Sequence, residues 1–458
     1  MVDVDVDVDV DVSVPVEEPV VVRAAALDIA KASAMVCTRV PDEERPVRRR
    51  QQTWSVAADT ASILELGDRL RCQGVERVVM EATGAYWKPF FFLLEARGLQ
   101  CWLVNARDVK NVPGRPKTDR LDAVWLCKLN ERGMLRASFV PPLEIRQLRD
   151  LTRTRAVLVR ERTRHKQRVE KLLEDAQIKL SSVVSDLFGV TGRAVLEALV
   201  AGERSPAVLA ELARGSLRDK KPQLKASLLG GFTEHHAFMV GQFLELIDDL
   251  ETHIAQLTTR IGDHLAAMEV PGPRNPDSGG GDRSGGGTGP RPGALALADR
   301  LDAITGVGPT TAQVIIAEIG LDMSRFPTPG HLASWAKLAP RTEQSGPVTR
   351  NRGPGRGNPW LKGALGEAAA AASRTHTFLG ARYKRVVKRR GHARALVALA
   401  HSILIIAWHL VNDPQATYQD LGEDWHQHLP NPARRTRDLV RQLEKPGHQV
   451  TLTPVPAI

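Results

Sequence analysis

The sequence predicts an α/β N-terminal domain, a long helical middle and a mostly α C-terminal domain. Three observations carry that reading. Between Val20 and Gly133 three short strand patterns are followed by a regular succession of helix and strand patterns. Two unusually long stretches with helical periodicity, 144–175 and 243–268, come next. A Gly/Pro/Ser-rich run at 270–294 then separates them from a last block of apolar helices. A chain of 458 residues that is 42% hydrophobic can bury two or three such cores.

Taken in order, residues 1–19 alternate Val and Asp with strand period, but five like charges on one face repel, so this is read as a disordered acidic tail. It is acidic where an export signal is basic, and no targeting role is expected. From Val20, VVVRAAALDIA, SAMVCTRV and QQTWSVAA read as strands, and TASILELGDRLRCQG as a helix. RVVMEAT is a fourth strand, YWKPFFFLLEARG a helix, QCWLVN a fifth strand and TDRLDAVWLCKLNERG a helix closed by Gly133. Three consecutive strands followed by this alternation is the order of an RNase H-like domain, placed at 20–140.

The middle, 141–269, is expected to be a coiled-coil or dimerisation region. Its first helix carries ten Lys/Arg against three Asp/Glu between Arg146 and Lys171, with an interrupted apolar seam at Leu148, Leu151, Leu158, Val169 and Leu172. In the second, Phe243, Leu246, Leu250, Ile254, Leu257, Ile261, Leu265 and Met268 follow an eleven-residue repeat that keeps one stripe on a nearly straight helix. The helices can pair within a chain or between chains. Narrow seams favour pairing between chains, giving a homodimer or higher oligomer.

After the linker, 295–415 forms the C-terminal domain and 416–458 a tail. LDAITGVGPTTAQVIIAEIG has the pattern of a helix-hairpin-helix, whose turn at Gly306 and Gly308 can present backbone N–H groups to a phosphate. The apolar run ALVALAHSILIIAWHLV at 395–411 is short for a membrane span and carries His401 and His409, so a buried helix and no membrane are expected. Four cysteines, Cys37, Cys72, Cys101 and Cys127, contain no CxxC pair; neither a zinc site nor a disulfide framework is indicated, and a reducing cytoplasm is the expected location.

Charge placement points to a polyanion. Net charge is +10, yet residues 341–394 alone hold thirteen Lys/Arg against two Glu, which leaves the rest of the chain near neutral. An excess that concentrated suits nucleic acid, through counterion release at the phosphates. A solvated basic face fits the run equally well when it is taken alone.

The acids give the chemistry. In GRPKTDRLDA, Asp119 and Asp122 lie one helical turn apart, with Cβ atoms roughly 5 to 6 Å from each other, among Lys110, Arg115, Lys117 and Arg120. Asp28 ends the first strand and Glu81 the fourth, and those two strands are neighbours in an RNase H-like sheet. Four converging carboxylates repel unless cations neutralise them. An oxygen-only donor set selects Mg²⁺ or Mn²⁺, and a pair of such ions clamps the attacking and leaving oxygens of a phosphodiester. Singly, each acid has an ordinary reading: a strand-end turn for Asp28, a surface acid for Glu81, and first-turn carboxylates facing a helix dipole for the aspartates.

Ser345 lies in KLAPRTEQSGPVTRNRGPGRGNPWLKGAL, a Gly- and Pro-broken loop between helices, with Arg341, Arg350, Arg352, Arg356 and Lys362 around it. A serine hydroxyl can attack phosphorus where cations hold the transferring group. An isolated Ser-Gly pair is otherwise an ordinary turn.

These blocks together resemble the DEDD-type transposases of the insertion-sequence-110 family, through LDIAK, MEATGAYW and VNARDVKNVPGRPKTDRLDA in the first domain, RHKQRVEKLLEDAQIKL and SDLFGVTGRAVLEAL in the middle, and ITGVGPTTAQVIIAEIG, FPTPGHLASWAKLAPRTEQSG and RGNPWLKGAL beyond. The resemblance implies a Holliday-junction-resolvase-like (RuvC-like) domain whose acid set maps onto Asp28, Glu81, Asp119 and Asp122, and a C-terminal serine transposase domain whose nucleophile maps onto Ser345. It implies Mg²⁺-dependent strand exchange through a phosphoserine, donor and target DNA, a structured guide RNA, and a composite site in a tetramer built from dimers. Lys117, Arg120, Arg153, Arg160 and Arg164 are expected at nucleic acid with the arginines and glycines named above, the basic helix at 146–171 being the place for RNA. Two other readings stay open: a structure-specific endonuclease in which the acids activate water and Ser345 is a bystander, and an inactive nucleic-acid-binding remnant.

Overall fold

Ala24–Ile29, Ser33–Pro41, Arg49–Ala57, Arg77–Glu81 and Gln100–Val104 form β1 to β5, with Val36, Val56, Val78, Val79 and Val104 among their buried β-branched residues. The structure, a computed structural model, describes residues 20–42, 48–81, 84–105, 119–268, 293–339, 341–345, 348–352, 355–425 and 432–452. It divides after Pro141 into two units.

In the first unit the strand order is β3-β2-β1-β4-β5. β1 is antiparallel to β2 and β2 to β3, whereas β1–β4 and β4–β5 are parallel. The expected neighbourhood of the first and fourth strands is therefore present, in the register Ala24↔Arg77 through Leu27↔Met80. Helices α1 (Thr60–Cys72), α2 (Trp87–Ala96) and α3 (Asp119–Glu131) complete it. The α1 start is set by Asp59, whose carboxylate accepts from Ser62 N at 2.9 Å.

Side chains alternate between the two faces of the sheet. Ala25, Leu27, Ile29, Val78 and Met80 pack with Ile63, Leu66 and Leu70 of α1 and Phe90 and Leu94 of α2. Ala24, Ala26, Val79 and Val104 meet Ala123, Leu126 and Cys127 of α3. The run AAALDI thus has its apolar residues buried on both faces, which is the environment of a central strand.

The second unit begins with α4 (Leu143–Asp175) and continues through α5 (Val190–Val200), α6 (Pro206–Glu211), α7 (Lys221–Ser227) and α8 (Glu234–Ala267). α4 and α8 lie antiparallel within the chain. His264 Nε2 is 2.8 Å from Glu144 O at one end, and His236 Nε2 is 3.1 Å from Asp175 Oδ2 at the other. Between them Lys166 and Arg162 reach Glu251 at 3.3 and 3.5 Å. Within the chain these two helices pair with each other, with polar contacts across the seam alongside the apolar ones.

The stripe on α8 is also displaced. Its first half buries Val240, Leu244 and Ile247, while Leu246 is 44% exposed. That half packs against α5 as well as α4, so two partners set its inner face, and the core there includes Val195, Leu196 and Leu199. Only Ile261, Leu265 and Met268 of the expected seam are fully buried.

Beyond follow α9 (Ala294–Asp302), α10 (Pro309–Ile319), α11 (Pro329–Trp335), β6 (Arg341–Ser345), β7 (Val348–Arg352), α12 (Pro359–Ala372), α13 (Phe378–Arg390), α14 (His392–Asn412) and α15 (Pro432–Glu444). The segment around Ser345, expected as an irregular loop, is an antiparallel hairpin with Ser345 opposite Val348. Thr342, Val348 and Thr349 are its β-favouring residues, and two residues separate the strands. α14 is long and apolar enough by composition to cross a membrane, and half of that window is buried in the unit. Ala395, Leu399, Ile403 and Ala407 form its inner stripe, and Trp408 Nε1 donates to Phe326 O at 2.8 Å.

Candidate active site

α3 is held across the α2-free face of the sheet by its polar residues. Asn130 Nδ2 donates to Ala25 O and to Arg77 O, both at 3.2 Å, and so bridges β1 and β4 near their beginnings. Val21 N donates to Glu131 O at 3.2 Å, and Glu131 accepts from Arg39 at 2.7 Å and Arg49 at 2.8 Å. Arg120, near the other end of α3, donates to Thr53 Oγ1 at 2.9 Å. The helix consequently runs against the direction of β1 and β4. From Asn130 back to Asp122 the helix covers roughly 12 Å. Ala25 to Asp28 and Arg77 to Glu81 cover roughly 10 and 13 Å along their strands.

That direction carries Asp122 toward the end of the sheet at which Asp28 and Glu81 close β1 and β4. The period-two alternation that turns Ala24, Ala26 and Val79 toward α3 turns Asp28 and Glu81 the same way. Asp28, Glu81 and Asp122 are each half-buried. Their donors are carboxylate oxygens alone, at the C-terminal ends of parallel strands, and that set suits a hard divalent cation. Among the described residues no three His, Cys, Asp or Glu side chains are grouped tightly enough to hold a metal ion as they stand. The Asp119 side chain, like all of Lys117, lies outside the described residues.

The cysteines under α3 are spectators of this layer. Cys127 donates to Ala24 O at 3.4 Å, and burial pushes its thiol well above the ordinary range. Such a thiol is a small packing residue and not a ligand.

In the second unit, the hairpin carrying Ser345 is pinned at its ends. Lys337 has φ 56°, and Gly357 also has φ 56°, with a Cβ there falling 2.5 Å from Ala336 O. Only glycine fits a left-handed conformation against a carbonyl at that distance. Lys362 Nζ donates to Gly355 O at 2.8 Å, so this expected phosphate ligand ties down the segment leading out of β7. The side chains of Arg341, Ser345, Arg350 and Arg352 lie outside the described residues; Arg356 is exposed.

A buried polar joint stands beside the hairpin. Glu318 on α10 is fully buried and accepts from Arg153 Nε and Nη2, both at 2.8 Å, and from Asn358 Nδ2 at 2.6 Å. Arg149 Nε donates to Ala317 O at 2.7 Å and lies 3.6 Å from the Glu318 carboxylate. Burial pulls Arg149 down to about 10, against the opposing effect of Glu318. Asn358 caps α12, its Oδ1 accepting from Trp360 N and Leu361 N. Glu318 and Asn358 were not among the sequence candidates; the available signal was a single acid inside the apolar run AQVIIAEIG.

The remaining candidates divide. Arg153 meets Glu318 through one guanidinium edge, Nε and Nη2. Arg160 lies over the Trp360 ring at 4.7 Å, and Arg164 pairs with Glu161 one turn away while staying mostly exposed. Gly306 has φ 86°, and a Cβ there would meet Ala368 O at 2.4 Å, so close packing on α12 accounts for this glycine. Gly308, at the start of α10, faces open space.

Comparison with known proteins places both regions. Residues 25–178 match the family model DEDD Tnp IS110, described as a transposase, and residues 298–385 match the Transposase IS116/IS110/IS902 family. The chain is similar to the insertion element IS110 uncharacterized 43.6 kDa protein of Streptomyces coelicolor, 34% identical over 122 residues, a match spanning 26% of this chain and 30% of that one. The putative transposase y4rJ of Sinorhizobium fredii is 27% identical over 336 residues, covering 70% and 73%. The transposase for insertion sequence element IS1111A of Coxiella burnetii is 24% identical over 407 residues, covering 87% and 92%.

Proposed function

Because the chain belongs to the IS110 family of transposases, we propose that it cuts and rejoins DNA strands by phosphoryl transfer, with an RNase H-like acid site and a serine nucleophile. What supports this reading is that Asp28 and Glu81 close neighbouring parallel strands on the face covered by α3, the helix that carries Asp122. The strand order β3-β2-β1-β4-β5 supports the RNase H-like assignment.

Asp28, Glu81, Asp119 and Asp122 would hold divalent cations, Mg²⁺ or Mn²⁺. When bound, such an ion supplies charge neutralisation at the phosphodiester oxygens. The protein's own residues orient the strand and provide the nucleophile. Ser345 Oγ gives up its proton and forms a bond to phosphorus as the bond from phosphorus to a sugar oxygen breaks, and that oxygen takes a proton. A hydroxyl of a second DNA strand then attacks the phosphoserine, which releases Ser345 and joins the strands. Keeping the phosphoryl group on the enzyme is what permits exchange in place of hydrolysis. A structured guide RNA lying along Arg160 and Arg164 is part of the proposal, as is assembly of more than one copy.

The test is to incubate the chain with Mg²⁺, labelled DNA and RNA transcribed from the flanks of its gene, then denature. A covalent protein–DNA adduct is expected, lost in Ser345→Ala and in Asp122→Asn. Cleavage without an adduct that persists in Ser345→Ala would assign a water-using nuclease instead. DNA binding with no cleavage, unaltered in Asp122→Asn, would leave a binding protein.

A further inference from the structure

We propose that the Arg382–Arg385–Arg389 stripe of α13 is a docking surface for the phosphate backbone of duplex DNA. None of these three residues belongs to the site described above. α13 holds six Lys/Arg and no acid. Arg382, Arg385 and Arg389 are spaced by three and four residues and so share one face. The stripe is roughly 10 Å long, a distance over which duplex DNA presents about six phosphate charges.

Among the described residues, acids reach only the first part of this helix. The acids packed near α13 come from the segment after α14, and they sit at its beginning. Asp420 accepts from Phe378 N at 3.1 Å, while Glu423 takes Lys384 at 2.7 Å and His376 at 3.1 Å. Past Lys384, among the described residues, Arg385, Lys388, Arg389 and Arg390 have no carboxylate partner. Arg382 Nε is buried without any acceptor. The Arg382 guanidinium thus has no bond within the chain at its Nε edge, and its charge is not neutralised there by a carboxylate.

The three guanidiniums also feel one another. Arg385 is lowered by burial and then by Arg382 and Arg389. His401 of α14 is lowered by burial and then by Arg382, which shows the same positive field on the neighbouring helix. Repulsion of this kind is relieved by a polyanion. Duplex DNA is the occupant chosen because the proposal rests on the strand-transfer reading.

The experiment measures equilibrium binding of the full chain to a labelled 30-base-pair DNA duplex at several salt concentrations, without cleavage. Arg382→Gln/Arg385→Gln/Arg389→Gln should bind at least tenfold more weakly near 0.1 M salt, and the slope of log K against log[salt] should fall by roughly 2 to 3. Lysine at the same three positions should restore most of the slope, which separates charge from a folding defect. Arg218→Gln/Lys220→Gln, exposed cations elsewhere, should change little. An unchanged slope in the triple glutamine variant overturns the surface while leaving the catalytic reading intact. Loss of binding to an RNA duplex with DNA binding unaffected overturns it in favour of RNA. A wild-type chain that binds no duplex DNA sinks both.

Discussion

Glu318 sits where one atom-for-atom change should be felt through the second unit. Glu318→Gln keeps the volume but removes the charge that Arg153 meets with two bonds of 2.8 Å, and it turns an amide N–H toward donors on Arg153 or Asn358. Breaking a fully buried ion pair costs roughly 3–5 kcal/mol. The Arg153 side chain is 35% exposed and can recover some hydration, which lowers the expectation to about 3 kcal/mol. At roughly 2–4 °C per kcal/mol for a unit of a few hundred residues, thermal unfolding followed by circular dichroism should move down by about 6–12 °C. In an Arg153→Met background the same change should cost markedly less, since the charge left behind is then Arg149 alone. A shift below about 2 °C, or an equal loss in both backgrounds, would mean that Glu318 merely fills space and would refute the joint.

Other substitutions test other parts. Gly306→Ala places a methyl 2.4 Å from Ala368 O at φ 86° and should destabilise by about 2 kcal/mol or more, whereas Gly308→Ala, facing open space, should be nearly neutral in the same melt. Asn130→Ala removes two bonds that hold α3 to β1 and β4; a loss of roughly 1–3 kcal/mol is expected, together with lower strand-transfer activity at a temperature where the fold persists. Burial, assisted by Glu95, pushes the Cys101 thiol up to about 12 from an ordinary value of 9.0. The unfolded thiol ionises first, so its contribution is intact below pH 9 and lost as pH rises toward 12, and Cys101→Ala should lose stability less steeply over that window in alkaline melts. Under native conditions at pH 8, mass spectrometry should find exposed Cys72 alkylated well before buried Cys37 and Cys127.

Much of the first unit follows from local pattern. β1 to β5 and α1 to α3 lie where the apolar periodicity placed them, because each segment buries a face defined by its own spacing. Asp28 and Glu81 were findable for the same reason: an acid closing an apolar strand is conspicuous, and period two assigns its face. What no local rule supplies is the longitudinal position of α3, which Asn130 and Glu131 set through bonds to residues some fifty to a hundred places away. On that position depends how near Asp122 comes to Asp28 and Glu81, which among the described residues do not form a metal-holding group with it.

In the second unit, residue type proved a poor guide to partner. Arg153 and Lys362 carry the charge expected of phosphate ligands, yet a buried carboxylate and a backbone carbonyl claim them. Gly306, expected at a phosphate, has a packing reason to be glycine as well, since a Cβ there would meet a carbonyl of α12. The inner face of α8 moved by one position because α5 packs on it too. Composition and spacing determined this chain's elements, its acid pattern and its concentration of positive charge, since these depend on neighbours in sequence. Which cation is neutralised, which glycine is packed and which basic face stays open were decided only by tertiary structure, because each depends on a partner that the chain brings in from far away.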